Sequence, residues 1–258
     1  MDLGISGKVA LVTGGSRGLG RQCALSLAGE GVKVAICGRT RETLDKTVAE
    51  LKAKGVEAIG VQADISSEAD AAPLHDAVVS RLGPIDILVN NVGGSKNRSD
   101  IAGTSLGDLK ATFDLNVYGG YELMRLVIPH MKSQKWGRII NISSIWGREH
   151  GGNVGYMSAK AAVIAMTKHA GLSLAKDGIT VNTIAPGSID FPGGGWERYR
   201  KSNPPEVVQD FVKTNLPMGR FGWPEPVGDM TAFLASTRAD LITGACIPVD
   251  GGQGHTMI

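Results

Sequence analysis

The sequence has little of what marks several classes of protein. Aromatic residues make up 5% of its 258 residues, and its three cysteines lie far apart in apolar segments. Cys23, Cys37 and Cys246 therefore predict reduced thiols of a cytoplasmic protein, and neither a disulfide framework nor a metal site. The net charge is only +2, with no block of Lys or Arg, so we expect neither nucleic acid nor an anionic membrane as a partner. No apolar run approaches the ~20 residues that span a bilayer.

Glycine, in contrast, is abundant at 36 residues, and short apolar runs alternate with segments of helical period. The runs are continuously apolar, which is typical of parallel strands covered on both faces. We predict a single α/β domain over residues 1–258, a doubly wound Rossmann-type sheet of about seven parallel strands with helices on both faces. The predicted strands are Val9–Val12, Val32–Cys37, Glu57–Val61, Ile85–Val89, Gly137–Ile142, Thr180–Ile184 and Cys246–Val249, and the predicted helices include Gly18–Leu27, Arg41–Lys54, Glu68–Leu82, Leu106–Lys132 and Met157–Ala175.

From about residue 187 to 218 this alternation stops, in a stretch with four prolines and the glycines 193–195. So long a break inside a compact domain is usually a functional loop, and we predict a substrate lid there that the glycines allow to close.

The first strand ends in a glycine-rich loop, Thr13–Gly20, which runs directly into a helix. Glycines let the backbone approach a pyrophosphate, and the N–H groups of a helix N-terminus favour an anion. In this position the loop predicts dinucleotide binding, although a purely structural turn is the alternative. The contacts that we expect from it are Gly14, Ser16, Arg17, Gly18, Leu19 and Gly20.

The end of the second strand indicates which dinucleotide is bound. Sites for NAD usually carry an acid there, but this chain has Gly38-Arg39-Thr40. Arg39, joined by Arg17, is placed to bind a 2′-phosphate, unless both are ordinary surface arginines. We therefore favour NADP(H) over NAD(H). After the third strand, Asp64 either accepts a hydrogen bond from the adenine amino group or caps the next helix.

Tyr156 and Lys160 are four residues apart and share one face of a predicted helix. An ammonium group beside a phenol lowers the phenol pKa from its usual ~10, so Tyr156 is a candidate general acid or base. The alternative is an ordinary, partly exposed helix face.

Asn116 lies in the middle of another predicted helix, where an Asn side chain competes for backbone groups. Ser143-Ser144 follow the fifth strand, at the edge where open α/β sheets bind ligands.

Together these motifs resemble the short-chain dehydrogenase/reductase family, and most of all its branch of 3-oxoacyl-carrier-protein reductases and carbonyl reductases. The resemblance covers nearly the whole chain. It rests on Thr13–Gly20, Asn90-Asn91-Val92-Gly93, Asn116, Ser143-Ser144, Tyr156 with Lys160, Pro186-Gly187 and Val249-Asp250-Gly251-Gly252.

The resemblance implies an NADPH-dependent reductase of a ketone or 3-oxo-acyl compound, working as a cytoplasmic homotetramer or homodimer. Tyr156 would protonate the substrate oxygen, Ser144 would hydrogen-bond it, Lys160 would hold the ribose and lower the pKa of Tyr156, and Asn116 would hold a water. The implied cofactor contacts beyond the glycine loop are Arg39, Asp64, Ile65, Asn91, Gly93, Tyr156, Lys160, Pro186, Gly187 and Ile189. The alternatives are oxidation of a secondary alcohol, sterol or sugar at the same site, and a dinucleotide sensor without catalysis.

Three positions depart from the family pattern. The second serine of the pair is the usual catalytic one, whereas the usual spacing before Tyr156 would select Ser143. A loop shortened by one residue reconciles the two in favour of Ser144. Val92 replaces a usual Ala. Phe191 replaces a usual Thr that bonds the nicotinamide amide, and Ser188 or Asp190 compensates unless that contact is missing. The residues expected to line the substrate pocket are Trp146, Arg148, His150, Val154, Phe191, Trp196, Arg198 and Tyr199. The arginines among them either bind an acidic group of the substrate or are solvated. The aromatic residues either line the pocket or pack within the lid.

Overall fold

Seven strands form one parallel sheet in the part of the chain that the structure, a computed structural model, describes, namely residues 1–95 and 99–257. The strand order is β3-β2-β1-β4-β5-β6-β7, so the order of strand addition reverses between β1 and β4. In such doubly wound sheets, ligands bind outside the carboxyl ends of the strands at this reversal. The predicted fold class is confirmed.

The strands are short and the helices that connect them cover both faces of the sheet. The strands are β1 (Val9–Val12), β2 (Lys33–Gly38), β3 (Ala58–Gln62), β4 (Ile87–Asn90), β5 (Gly137–Ile142), β6 (Ile179–Pro186) and β7 (Cys246–Val249). The helices are α1 (Gly18–Gly29), α2 (Arg41–Lys52), α3 (Glu68–Leu82), α4 (Leu106–Phe113), α5 (Gly119–Gln134), α6 (Val154–Leu174), α7 (Gly195–Ser202), α8 (Pro205–Asn215) and α9 (Glu225–Ala235). No helix among the described residues is long and apolar enough to cross a membrane.

The two faces of the sheet pack into two separate hydrophobic cores. In β1, Ala10 and Val12 point into the core shared with α1, α2 and α9, while Leu11 points into the core shared with α3 and α5. All three side chains are fully buried. This burial on both sides is the reason that the strands are continuously apolar in the sequence.

The predicted helix Leu106–Lys132 is wrong as a single helix, because a turn of π-helix, Asp114–Tyr118, separates α4 from α5. The physical cause lies at Asn116, whose Nδ2 donates to Thr112 O at 2.7 Å. That carbonyl is the one that the Asn116 N–H would bond in an α-helix, so the side chain takes the place of the backbone donor.

The predicted break at 187–218 contains two helices, α7 and α8. Pro205 is the first residue of α8, a position where the missing N–H of proline costs nothing. The helices pack through an aromatic cluster, with Trp196 4.9 Å from Phe211 and 5.3 Å from Phe221 between ring centroids. Tyr199 joins it at 5.4 Å from Phe211. Trp196 and Tyr199 therefore pack α7 against α8.

Candidate active site

The glycine-rich loop lies between β1 and α1 at the reversal of strand order. Gly14 and Gly18 have φ values of 62° and 55°, a backbone region that favours glycine. Asn91, which follows β4, fixes the loop because its Nδ2 donates to Thr13 O at 2.9 Å and its N–H donates to Thr13 Oγ1 at 2.9 Å. A Cβ atom on Gly20 would collide with the same Nδ2 atom. The side chain of Asn91, at the end of the neighbouring strand β4, thus fixes the conformation of the glycine-rich loop.

The N-terminus of α1 suits the phosphates of a dinucleotide. Arg17 is its N-cap residue, no side chain caps the helix, and its first turn has no acidic residue. The partial positive charge of the helix end is therefore not neutralised locally. Ser16 and Leu19 lie beside the cap, and Ser16 O accepts from Thr47 Oγ1 at 3.1 Å. The residues present fit an anionic cofactor.

Arg39 and Asp64 meet at the ends of β2 and β3. The Arg39 guanidinium lies 3.9 Å from the Asp64 carboxylate, and Arg39 is about two-thirds exposed. Asp64 also accepts from Ser66 Oγ at 2.7 Å, while the N-cap of α3 is Ser67. Asp64 therefore shapes the turn before α3. Ile65 is buried, and its carbonyl lies against Gly119 at the start of α5.

The two serines after β5 have different partners. Ser143 Oγ donates to Lys160 O at 2.8 Å, which ties β5 to the backbone of α6. The Ser144 side chain lies close enough to the Tyr156 phenol to lower its pKa, and Ser144 Oγ accepts from Trp146 N at 3.2 Å. Of the two, the structure brings Ser144 to Tyr156.

Tyr156 and Lys160 lie one turn apart near the start of α6. Asn153 caps this helix by accepting from Tyr156 N at 3.0 Å. The Lys160 side chain is buried, and its Nζ donates to Ile142 O at 2.9 Å and lies 5.7 Å from the Tyr156 ring centroid.

The surroundings of these two groups shift both pKa values. Burial raises the pKa of Tyr156 and outweighs the hydrogen bond from Ser144, which lowers it. Burial also lowers the pKa of Lys160 to about 8. The Lys160 amine is directed to the backbone carbonyl of Ile142, and its expected effect on the pKa of Tyr156 stays a prediction.

Asn116 stands behind this pair and holds the segment after β4. Its Oδ1 accepts from Gly94 N at 3.0 Å, and its Nδ2 donates to Gly94 O at 2.7 Å. A Cβ atom on Gly93 would come within 2.6 Å of Lys160 Nζ and 2.8 Å of Asn116 Oδ1. Only glycine at position 93 lets this backbone lie against the lysine.

The end of β6 forms the opposite wall. Gly187 N donates to Val249 O at 3.2 Å, and Ile189 forms a parallel bridge with Gly222. The Phe191 ring packs on the glycine loop, because a Cβ atom on Gly18 would lie 2.5 Å from it. Asp190 pairs with Arg200 of α7 at 2.6 Å. Asp190 therefore anchors the lid segment.

The sequence did not reveal the part that the C-terminal segment plays. Glu149 Oε2 accepts from His255 N at 2.7 Å and Thr256 N at 3.0 Å, and Arg148 Nη1 donates to Cys246 O at 3.0 Å. Gln253 Oε1 accepts from Ser188 N at 2.7 Å. The segment thus ties the loop before Tyr156 to the wall at β6, and Arg148 is part of that tie. These contacts could not be predicted because the residues that form them are far apart in the sequence.

Most of the predicted residues meet at this edge of the sheet. The set comprises Gly14, Ser16, Arg17, Gly18, Leu19, Gly20, Asn91, Gly93, Asn116, Ser144, Tyr156, Lys160, Pro186, Gly187 and Ile189, with Arg39, Asp64 and Ile65 at the ends of β2 and β3. In residues 1–95 and 99–257, no group of three His, Cys, Asp or Glu side chains is placed to hold a metal ion.

Known proteins resemble this chain over nearly its whole length. A family profile described as enoyl-(acyl carrier protein) reductase matches residues 14–253. The 3-oxoacyl-[acyl-carrier-protein] reductase FabG of Staphylococcus aureus is 37% identical, over 95% of this chain and 98% of the relative. The structure of L-sorbose reductase from Gluconobacter frateurii, complexed with NADPH and L-sorbose, matches with a TM-score of 0.93 at 32% identity, covering 100% of both chains. That of a variant actinorhodin polyketide ketoreductase with NADPH has a TM-score of 0.88 at 34% identity, covering 96% of this chain and 98% of the other.

Proposed function

Since the chain belongs to the short-chain dehydrogenase/reductase family, whose members act on CH–OH and C=O groups, we propose that it reduces a ketone or 3-oxo-acyl carbonyl to the alcohol with NADPH. The observation that carries this proposal is the meeting of the Ser144 side chain with the Tyr156 phenol, with buried Lys160 one helical turn away. The names of the relatives, which are reductases of carbonyl compounds, support the same reaction.

In this mechanism Tyr156 is the general acid. NADPH, when bound, supplies the hydride that reaches the carbonyl carbon. Ser144 donates a hydrogen bond to the carbonyl oxygen, and Tyr156 Oη gives that oxygen its proton. Lys160 would hold the ribose hydroxyls with its amine, while Asn116 would hold a water near the lysine. Pro186, Gly187, Ile189 and the backbone of Asn91 and Gly93 form the walls against the cofactor.

The raised pKa of Tyr156 leaves the phenol protonated, which is the state that reduction requires of it. A phenol whose pKa lies above its usual value keeps its proton at neutral pH, and a proton donor must do so. Oxidation of an alcohol requires the phenolate instead, which burial disfavours. The oxidative dehydrogenase therefore stays the second candidate.

Arg17 and Arg39 carry the preference for NADPH over NADH. Both are exposed at the edge where the adenine ribose of a bound dinucleotide lies in this fold. Asp64 lies 3.9 Å from Arg39 and so orients the guanidinium while sharing its charge. Two related structures contain NADPH.

Three further expectations stay predictions, namely the lid at 187–218, the homotetramer or homodimer, and the cytoplasmic location. Sedimentation of the purified protein tests the assembly.

The test follows nicotinamide absorbance with a panel of ketones and either NADPH or NADH. Tyr156→Phe should lower kcat by roughly 10²–10⁴-fold, since it removes the proton donor but leaves the phosphate site intact. Tyr118→Phe, at a half-exposed tyrosine, is the control. Strong residual activity of Tyr156→Phe refutes the assignment of the acid. An NADH rate equal to the NADPH rate refutes the role of the two arginines, and tight NADPH binding without turnover indicates a sensor.

A further inference from the structure

The loop between Ser144 and Tyr156 places one large side chain beside the reacting groups. Trp146 lies in a 3₁₀ turn, Ile145–Gly147, that begins directly after Ser144. Its ring centroid is 6.3 Å from that of Tyr156, with the two planes at 86°. The two rings therefore form a right-angled corner next to the hydroxyl that donates the proton. Trp146 and Tyr156 are both partly exposed, so part of each ring is accessible to a ligand.

The backbone of the same loop holds the indole in place. A Cβ atom on Gly152 would lie 2.7 Å from Trp146 Cε3, and one on Gly151 would overlap Cδ1 and Nε1. Two consecutive glycines thus let the chain pass directly over the indole. An indole confined in this way loses little further freedom when a ligand packs against it, and such rigidity favours binding.

The charged side chains of this loop are directed elsewhere. Glu149 accepts hydrogen bonds from His255 and Thr256, and Arg148 donates to Cys246 O. Arg198 of α7 donates to Gly193 O at 2.8 Å. Within the described residues, the loop therefore turns an aromatic surface to Tyr156 and its charges to the C-terminal segment.

We propose that Trp146 determines substrate specificity and that the substrate carries a planar ring on its carbonyl carbon, as in an aryl ketone. The proposal rests on the proposed function, since it assumes that the carbonyl oxygen lies between Ser144 and Tyr156. With the oxygen there, a substituent on the carbonyl carbon reaches the corner between the two rings. A planar ring in that corner packs against the indole and replaces water at an apolar surface.

The test compares two 3-oxo esters that differ only in the group on the carbonyl carbon. Ethyl benzoylacetate carries a phenyl ring, and ethyl 3-oxohexanoate carries a linear propyl chain. We expect kcat/KM to be about tenfold higher for the phenyl ester, the gain of burying one ring against an aromatic wall. Trp146→Ala should abolish this ratio by raising KM for the phenyl ester, with the NADPH Kd unchanged.

Two further variants separate specificity from folding. Trp146→Phe keeps an aromatic surface and should keep part of the ratio. Trp223→Ala removes an indole that lies 4.3 Å from Arg220 and is 38% exposed, and it should leave the ratio unchanged. A wild-type enzyme that prefers the propyl ester, or a ratio that survives Trp146→Ala, overturns the proposal. Failure of the wild type to reduce either ester or any ketone overturns the proposed function instead.

Discussion

Lys160→Met is expected to change how the free energy of unfolding depends on pH. The Lys160 side chain is 2% exposed, and burial lowers its pKa from 10.5 to about 8. Below pH 8 the amine is charged in both the folded and the unfolded protein, so the folded state bears the cost of a buried ammonium group. Between about pH 8 and pH 10.5 the folded protein releases this proton while the unfolded chain still binds it. The unfolded state then binds more protons, and stability rises with pH.

The size of the effect follows from the shift. One pKa unit corresponds to about 1.4 kcal/mol, so the wild type should gain about 3 kcal/mol relative to Lys160→Met over this range. Lys160 Nζ can keep its hydrogen bond to Ile142 O after it loses the proton, because a neutral amine also donates. The loss of this hydrogen bond in the variant adds a constant offset only.

Urea unfolding of both proteins without cofactor, followed by circular dichroism from pH 7.5 to 10, measures the difference. Titrations shared by the two proteins cancel in it. Lys52→Met removes an exposed lysine at the end of α2 and should show no such slope. A difference between the wild type and Lys160→Met that stays constant over the range refutes the reasoning, because it means that the amine is solvated in the folded protein.

Two further changes probe the walls of the site. Glu149→Ala removes the acceptor of His255 N and Thr256 N, and it should lower the free energy of unfolding by about 1–2 kcal/mol in urea; an equal loss in Glu149→Gln, which keeps an acceptor oxygen, contradicts this. Gly18→Ala brings a methyl group to 2.5 Å from the Phe191 ring and should weaken NADPH binding measured by fluorescence; Phe191→Ala should restore part of it, and strictly additive effects exclude the contact.

The sheet was predictable because its chemistry is repeated along the chain. Every central strand is buried on both faces, so a run of hydrophobic residues is enough to predict each strand. Ala10, Leu11 and Val12 of β1 are an example. The helix α4–α5 region was less predictable, because a single side-chain hydrogen bond from Asn116 to Thr112 O changes the helix type. Helix propensity and hydrophobic periodicity do not predict that a side chain will compete with the backbone N–H for a carbonyl group.

The two helices between residues 187 and 218 were not predicted, for a related reason. Prolines and glycines between 187 and 218 indicate breaks when read locally, yet Pro205 begins a helix. What makes α7 and α8 stable is the contact of Trp196 with Phe211 and Phe221. Such contacts join residues that are distant in sequence, and only the tertiary structure reveals them.

In the candidate site, too, local sequence patterns predicted some features, whereas contacts between residues distant in the sequence determine others. The four-residue spacing of Tyr156 and Lys160 correctly placed both on one face of α6, but it could not show where the ammonium group is directed. That direction is set by Ile142 of β5, which accepts from Nζ. The adjacent Ser143 bonds the backbone of Lys160, so strand and helix are joined at two points. Ser144 is thereby held toward Tyr156, and the position of the hydroxyl pair follows from the register of β5 against α6.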